Sequence, residues 1–557
     1  MMRQYRKTKQ EIPEDTLLLF RMGDFYEMFF EDAERGSQIF EITLTKRQGI
    51  PMAGIPYHAL QNYLPKALEA GIKVALAEQT EDPKLAKGLV RREVTQIITP
   101  GTIVEGDVLN AGRSNYLMGV NPGRGGFGIA VLDISTGEFR VCEVSKRPEL
   151  DGEIHRLRPS EVLLPQRLHE QWERENGFPD VSYPVTWTPA EDWTFMPETA
   201  QEELCRHFAV SSLDGFGCGQ MHMAVGAAGG VLHYACNNLR RDASHITRLQ
   251  PYSINRYMGI DRITQRNLEL VEPLYRDHRN ATLFAVLNHT VTPMGTRLLR
   301  EWILRPLIRH QEIVERQDAV EAFVQDQLLL EEVRSLCKHI RDMERIITKL
   351  NVGSGNARDL LSIKKALEVI PLLRETLAVV DENPLLGRIQ SRLIAFPQLV
   401  ELIEQAIVDD PPTSIRDGGM IREGFNEQLD EYRAASSKGK DWIVELQQKE
   451  QERTGISTLK VKYNKVFGYF IEVRKTQVDR VPPEYIRKQT LTQAERFITP
   501  ELKEIEDKVL GAEDKAKALE QQIFEDIRNV VVEHTRAIQE CSAGIACLDV
   551  IAALAYA

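Results

Sequence analysis

Between Thr499 and about Glu540 the chain sets apolar or small residues at Leu502, Ile505, Val509, Ala512, Ala516, Leu519 and Ile523, alternately three and four apart. That spacing commits the stretch to a long helix with a partner along one side, because only a helix returns to the same face at this interval. Thr499 and Pro500 supply an N-cap and a first helical position, and at ~1.5 Å per residue the helix would extend roughly 60 Å. A second helical stretch runs from near Ile421 to about Arg453 and stops before Gly455. Between the two, residues 456–498 turn strand-like at Thr458 to Tyr463 and Gly468 to Val473. The expected architecture here is two long antiparallel helices carrying a small β-domain at their far tip.

Charge inverts at that tip. Nine bases (Lys460, Lys462, Lys465, Arg474, Lys475, Arg480, Arg487, Lys488, Arg496) stand against four acids (Glu472, Asp479, Glu484, Glu495), in a chain whose net charge is -12. Tyr463, Phe467, Tyr469 and Phe470 interleave with them. A solvated β-surface over ordinary aromatics is the plain reading of an isolated cluster. A basic module on long arms inside an acidic protein also suits gripping a phosphate backbone without reading sequence.

At the other end, Arg21 to Phe30 joins an apolar strand run (Leu17 to Phe20) to a Gly23-Asp24 break and an aromatic-rich segment. Asp24 and Glu27 have capping-box spacing, which predicts a helix starting at Asp24 with Tyr26, Phe29, Phe30 and Ala33 on its core face. Phe25 would then project from the first helical position, where free backbone N–H groups favour an anion such as phosphate. An exposed aromatic beside an acid suits a wedge pushed into a base stack, and the capping box is the competing use of the same residues. A Pro/Gly-punctuated loop at Ile50 to His58, a helix from Leu60 to Ala70 and strands from Ile72 to Ala77 and Val94 to Thr99 complete a small α/β domain of about 100 residues.

From Asn115 the pattern is one of hairpins: Tyr116 to Val120, Phe127 to Ser135 and Glu138 to Val144. Gly123, Gly125 and Gly128 spell G-x-G-x-x-G, but a dinucleotide fingerprint needs a helix directly after the glycines, and a strand follows here, so they are expected to serve the turn. Cys205, His207, Cys218 and His222 match no common zinc spacing, and no metal is expected. From about Asp261 the apolar spacing is helical throughout, with Asp277 to Asn280 and Thr292 to Arg297 as turns and caps.

Length sets the scale: 557 residues, with 27% charged and 42% apolar, imply roughly three to five globular domains. The longest apolar stretch, Ala224 to Leu232, is short and Gly-interrupted, and the basic N-terminus lacks an apolar core, so neither a membrane span nor a secretory signal is expected. Seven scattered cysteines fit reduced thiols in the cytoplasm.

Several motifs in order resemble the MutS family of bacterial DNA mismatch-recognition proteins: Arg21 to Phe30, Pro51 to His58, Thr99 to Thr102, Thr292 to Arg297, Leu459, Phe467 to Phe470, Arg487 to Thr490 and Ala494 to Glu506. The resemblance implies a multidomain α/β plus all-α chain: a mismatch-binding domain (1–104), a ribonuclease H-like α/β connector (105–245), a helical core and first lever (246–430), a lever helix into the clamp (431–455), a small β-rich clamp (456–498), and a returning lever with the core end (499–557). Phe25 matches the family's wedge and Glu27 its partner in the Phe-x-Glu pattern, with Met22, Lys46, Arg47 and His58 near the mismatch. Lys460, Lys462, Asn464, Lys465, Arg474, Lys475, Arg487, Lys488 and Arg496 are chosen as backbone contacts of the clamp. The implied partner is double-stranded DNA with a mismatch or small loop. Family members form homodimers, a contact expected to be weakened or absent here, and a MutL-type partner follows from the resemblance.

Full-length members use ATP and Mg, and the phosphate-binding pattern G-x-x-x-x-G-K-[ST] is not present in these 557 residues. No cofactor and no catalysis are therefore expected of this chain, which reads as a fragment or truncated product of a cytoplasmic, nucleoid-associated protein. Two alternatives stay open. A metal-dependent nuclease would need carboxylates around Asp133, and a branched-DNA binder of the same family would lack Phe25 and Glu27.

Overall fold

The computed structural model describes residues 1–80, 90–106, 108–240, 243–275, 280–380, 383–464 and 468–557. Lys465 and Phe467, and Asp277 to Arg279 of the expected turn, lie outside the described residues. The chain divides into two compact units, one of Met1–Gly355, Lys365–Pro397 and Val532–Ala557, the other of Asn356–Lys364 and Gln398–Val531.

The first unit opens with helix α1 (Met2–Gln10), strands β1 (Thr16–Met22) and β2 (Phe25–Phe29), helix α2 (Glu31–Phe40), strands β3 (Thr45–Arg47) and β4 (Ile50–Pro56), helix α3 (Leu60–Glu69), and strands β5 (Lys73–Gln79) and β6 (Arg92–Ile98). The six strands form one sheet in the order β3-β4-β2-β1-β5-β6, with only β1 and β5 parallel. Leu17, Leu19, Tyr26 and Met28 face α2 and α3, whereas Leu18, Phe20 and Phe29 share a core with Tyr5 of α1.

The helix expected from Asp24 is not there. Gly23 takes φ 59°, which a glycine adopts without steric cost, and the chain reverses into β2. Pairing with β1 on one side and β4 on the other satisfies the backbone groups that a capping box would otherwise serve. The helix begins later, at Glu31.

A second sheet contains β7 (Leu117–Gly123), β8 (Gly126–Asp133), β9 (Glu138–Val144), β10 (Glu161–Pro165), β11 (Thr186–Ala190) and β12 (Gln250–Pro251) in the order β11-β10-β7-β8-β9-β12. The antiparallel meander β7-β8-β9 is flanked by parallel strands. Helices α4 (Arg147–Leu157) and α5 (Gln166–Glu175) cover one face. Beyond α6 (Pro197–His207), α7 (His222–Leu239) covers the other. Gly128 does more than serve the hairpin: a Cβ there would lie 2.0 Å from the Met223 carbonyl carbon, so its bareness lets α7 seat on the sheet. Glu161 joins the two sheets. It accepts hydrogen bonds from the Gly101 N–H at 3.0 Å, the Thr188 hydroxyl at 2.6 Å, the Tyr234 hydroxyl at 2.7 Å and the Thr99 hydroxyl, which explains the Thr99 to Thr102 motif structurally.

The rest of this unit is helical. Helix Thr535–Tyr556 is at its centre, packed by helices Pro293–Leu304, His310–Gln325, Gln327–Cys337, Met343–Asn351 and Pro384–Arg392. It is long and apolar enough to cross a membrane by length and composition, but 67% of its apolar window is buried inside the fold, as befits a core helix apolar all round. Asp549 on this helix accepts from the N–H groups of Val291 and Thr292 at 3.0 and 2.8 Å and from the Thr292 hydroxyl at 2.6 Å.

In the second unit, helix Glu427–Thr454 starts at the Asn426 cap rather than at Ile421, because Asn426 accepts from the Leu429 N–H at 2.9 Å. It ends at Gly455 with φ 65°. Helix Pro500–Glu533 starts as its spacing predicts, with Thr499 accepting from the Leu502 N–H at 3.2 Å. It stops at His534, short of Glu540, and so runs about 51 Å over its 34 residues. Ion pairs Lys449–Glu501 at 3.0 Å and Arg433–Glu520 at 2.7 Å fix the two helices as antiparallel. Between them lies an antiparallel sheet of β13 (Lys460–Asn464), β14 (Gly468–Arg474), β15 (Ile486–Thr490) and β16 (Ala494–Ile498), in the order β13-β14-β16-β15.

Candidate nucleic-acid interface

Strand alternation decides what the first sheet displays. Phe25 and Glu27 are two residues apart on β2 and therefore project from the same face, which a helix would not have allowed. Register adds Met22 opposite Phe25 on β1, and Pro56 and Gly54 opposite Phe25 and Glu27 on β4. Phe25 is 48% exposed, while Tyr26 and Met28, on the reverse face, are buried. Gly54 leaves the space beside Glu27 open, since a Cβ there would sit 3.2 Å from the Tyr26 carbonyl oxygen and 3.6 Å from the Glu27 Cγ.

Arg47 reaches this face from β3 and its Nη1 stands 3.4 Å from the Glu27 carboxylate. Lys46 pairs with Pro51 where Arg47 pairs with Ile50, so alternation sends Lys46 to the opposite side of the sheet. His58 is exposed in the 3-10 turn just after β4. Burial raises the Glu27 pKa above the usual carboxylate range, and the charges of Arg47 and Arg92 work against that rise.

Arg92 carries no sequence signal of its own. It sits on β6, far from Glu27 in sequence, and no local motif marks it; the sheet alone brings its charge to bear on Glu27. Arg21 has a supporting part. Its Nε donates to the Gly23 carbonyl at 2.6 Å and its guanidinium stacks 3.5 Å from the Tyr57 ring, while the Tyr57 N–H donates to the Asp24 carbonyl at 3.0 Å. The turn that presents Phe25 is thus clamped from behind.

In the second unit, the inserted sheet has one apolar face, with Ile471, Val473 and Phe497 packed on Leu446, Tyr485 and Leu502. Its other face carries Lys460, Lys462 and Asn464 on β13, Arg474 on β14 and Arg496 on β16. These bases differ in their freedom. Lys462 pairs with Glu472 at 2.7 Å, Arg496 stands 3.5 Å from Glu472 and 4.3 Å over the Phe470 ring, and Arg487 pairs with Glu495 at 2.9 Å. Lys460, Arg474, Lys475 and Lys488 are exposed and have no ion pair among the described residues.

Asp133 gives a nuclease little to work with. Its carboxylate accepts from the Asn115 and Ser135 N–H groups, both at 3.0 Å, and from the Ser135 hydroxyl at 2.6 Å. Among the described residues no three His, Cys, Asp or Glu side chains gather as metal ligands.

An aromatic-acid pair at the end of a sheet face that α1 partly covers, a second α/β sheet, and a helical body together with a basic sheet inserted between long helices define a multidomain α/β plus all-α protein. Comparison with known proteins gives its family. Models described as MutS domain I, MutS domain II and MutS domain III match residues 1–107, 115–247 and 263–555. The last covers more than half of the chain, and the chain belongs to the MutS family. It is 44% identical over 579 residues to the DNA mismatch repair protein MutS of Methanosarcina acetivorans, covering 100% of this chain and 64% of that protein. The protein of the same name from Lachnoclostridium phytofermentans is 42% identical over 562 residues, covering 100% of this chain and 60% of the relative. The chain thus spans between 60% and 64% of the length of these relatives.

Proposed function

We propose that this chain recognises mismatched or looped double-stranded DNA by inserting Phe25 between base steps, with Glu27 accepting a hydrogen bond from a base edge. The observation that carries this is the shared strand face: a half-exposed Phe25 beside a partly buried Glu27 whose ionised form is disfavoured. A mispaired step is cheaper to unstack and kink than a paired one, so an apolar wedge converts deformability into selectivity. A carboxylate near DNA is otherwise repelled by phosphates and costs desolvation unless a base donates to it, so Glu27 penalises the wrong complex. Met22, Arg47 and His58 flank the wedge, and Lys46 acts only from the far face of its strand.

Residues 456–498 form the clamp of this reading, with their bases on the phosphate backbone, and residues 105–245 the ribonuclease H-like connector. Homodimer formation and a MutL-type partner belong to the same proposal, as does a cytoplasmic, nucleoid-associated location; ATP and Mg are assigned to full-length family members. A titration of matched and mismatched duplexes tests it. Phe25→Ala is expected to bring the two affinities together while leaving the thermal transition unchanged, and unchanged discrimination would refute the wedge. The alternative, a branched-DNA binder of the same family, is distinguished by tight binding to four-way junctions that Phe25→Ala leaves intact.

A further inference from the structure

In the first unit, a cavity of about 350 Å³ lies between the loop leading into β7, the end of α4 and helix Pro293–Leu304. Six arginines line it, and they fall into two groups. Arg140, Arg156 and Arg297 are all held by carboxylates: Arg140 by Glu138 and Glu301, Arg156 by Glu153, Arg297 by Asp342 and Glu344. Glu301, the one carboxylate on the wall among the described residues, is engaged further by Arg305 at 2.7 Å.

The second group is different. Arg158 pairs with Glu272 and lies 4.8 Å over the Tyr183 ring. Arg113 and Arg300 have no ion pair among the described residues, and the described contact of the Arg300 guanidinium is the Phe284 ring at 5.4 Å. Arg300 is only partly exposed, and burial together with the nearby charges of Arg113 and Arg158 pushes its pKa down to about 10, against the pull of Glu272. Among the described residues, three guanidinium groups with one carboxylate between them leave two positive charges at the cavity, the exposed Arg113 at its mouth and the partly buried Arg300. Unpaired charges of one sign in a partly buried space are unfavourable unless an anion joins them.

We propose that this cavity binds a small phosphate-bearing anion through Arg113, Arg158 and Arg300. A phosphate ester carries about -1.5 to -2 at neutral pH, which matches the excess, and guanidinium forks bind phosphate oxygens in pairs. The volume lies at the lower end of the roughly 300–1,000 Å³ of small-molecule sites. It exceeds what a bare phosphate fills, and Tyr183, Pro184 and Leu304 supply an apolar side for an attached group of nucleoside size.

Isothermal titration of the full chain with inorganic phosphate, pyrophosphate, AMP and adenosine tests the assignment. One site is expected for pyrophosphate and AMP, weaker binding for phosphate, and none for adenosine. Arg300→Gln and, separately, the exposed Arg113→Gln are each expected to weaken pyrophosphate at least about tenfold, the loss of a charge-assisted pair. Arg167→Gln, at a guanidinium that is 90% exposed elsewhere on the surface, is expected to leave binding unchanged. A folded chain that takes up none of the anions, or both cavity variants binding as the parent does, would overturn the proposal. Displacement of pyrophosphate by a matched duplex would give the cavity to nucleic-acid backbone and overturn the small-molecule assignment.

Discussion

The Arg47 guanidinium stands 3.4 Å from the Glu27 carboxylate, across the intervening strand β4 of the first sheet, and does not cancel the cost of burying that acid. The sign of the resulting pH dependence is fixed. A carboxyl whose folded pKa lies above its unfolded value costs stability once ionised in both states, and the cost is lifted as pH falls through the folded pKa. Glu27→Gln is therefore expected to raise the melting temperature at alkaline pH, where the carboxyl is ionised in both states, and the advantage to shrink as pH falls into the range where the folded-state carboxyl takes up its proton. Calorimetry across that range checks this; an advantage that grows on acidification contradicts it.

Internal pairing sorts the bases of the inserted sheet. Alanine at Lys460, Lys475 or Lys488, which are exposed and unpaired among the described residues, is expected to reduce the slope of log affinity against log salt by about 0.9 for each phosphate left without its cation. Alanine at Lys462 or Arg487 is expected to reduce it less, because Glu472 and Glu495 already neutralise those charges. Equal slopes for the two groups, measured by fluorescence anisotropy from low to moderate salt, would reject the distinction.

Asp549 is a further test point. It is buried, and it ties the central helix to the start of helix Pro293–Leu304 through two N–H groups and a hydroxyl. Asp549→Ala strands these donors and is expected to cost about 3 kcal/mol in urea unfolding. Gly295→Ala places a methyl 2.3 Å from the Asp549 Oδ2 and is expected to destabilise in the same direction. A loss below about 1 kcal/mol for Asp549→Ala would show the tie to be dispensable.

Local chemistry was legible in the sequence where it acted locally. Thr499 and Pro500 start a helix because the cap and the missing N–H act within one turn. Asp24 and Glu27 have the spacing of a cap, yet pairing with two neighbouring strands outweighs it, and in the strand so formed Phe25 is exposed while Tyr26 and Met28 are buried. That error concerned the element and left Phe25 and Glu27 in place as candidates. The break at His534 has no glycine or proline to announce it, so the helix reads as continuous across it. Arg92 and the cavity arginines were invisible for a different reason: their meeting depends on strands and helices distant in sequence.

Thr454 and Pro500 border the inserted sheet where its chain leaves one helix and enters the next, and the Lys449–Glu501 pair marks how near those two points lie. An insert whose ends meet in this way makes little demand on its host. The helix pair holds its register through contacts such as Arg433–Glu520 whatever the intervening residues do, so the sheet can change its charge, its size or its strand count without resetting the pair. Surface charge and reach are separately tunable properties of this chain, one written in residues 456–498 and the other in the length of the helices on either side.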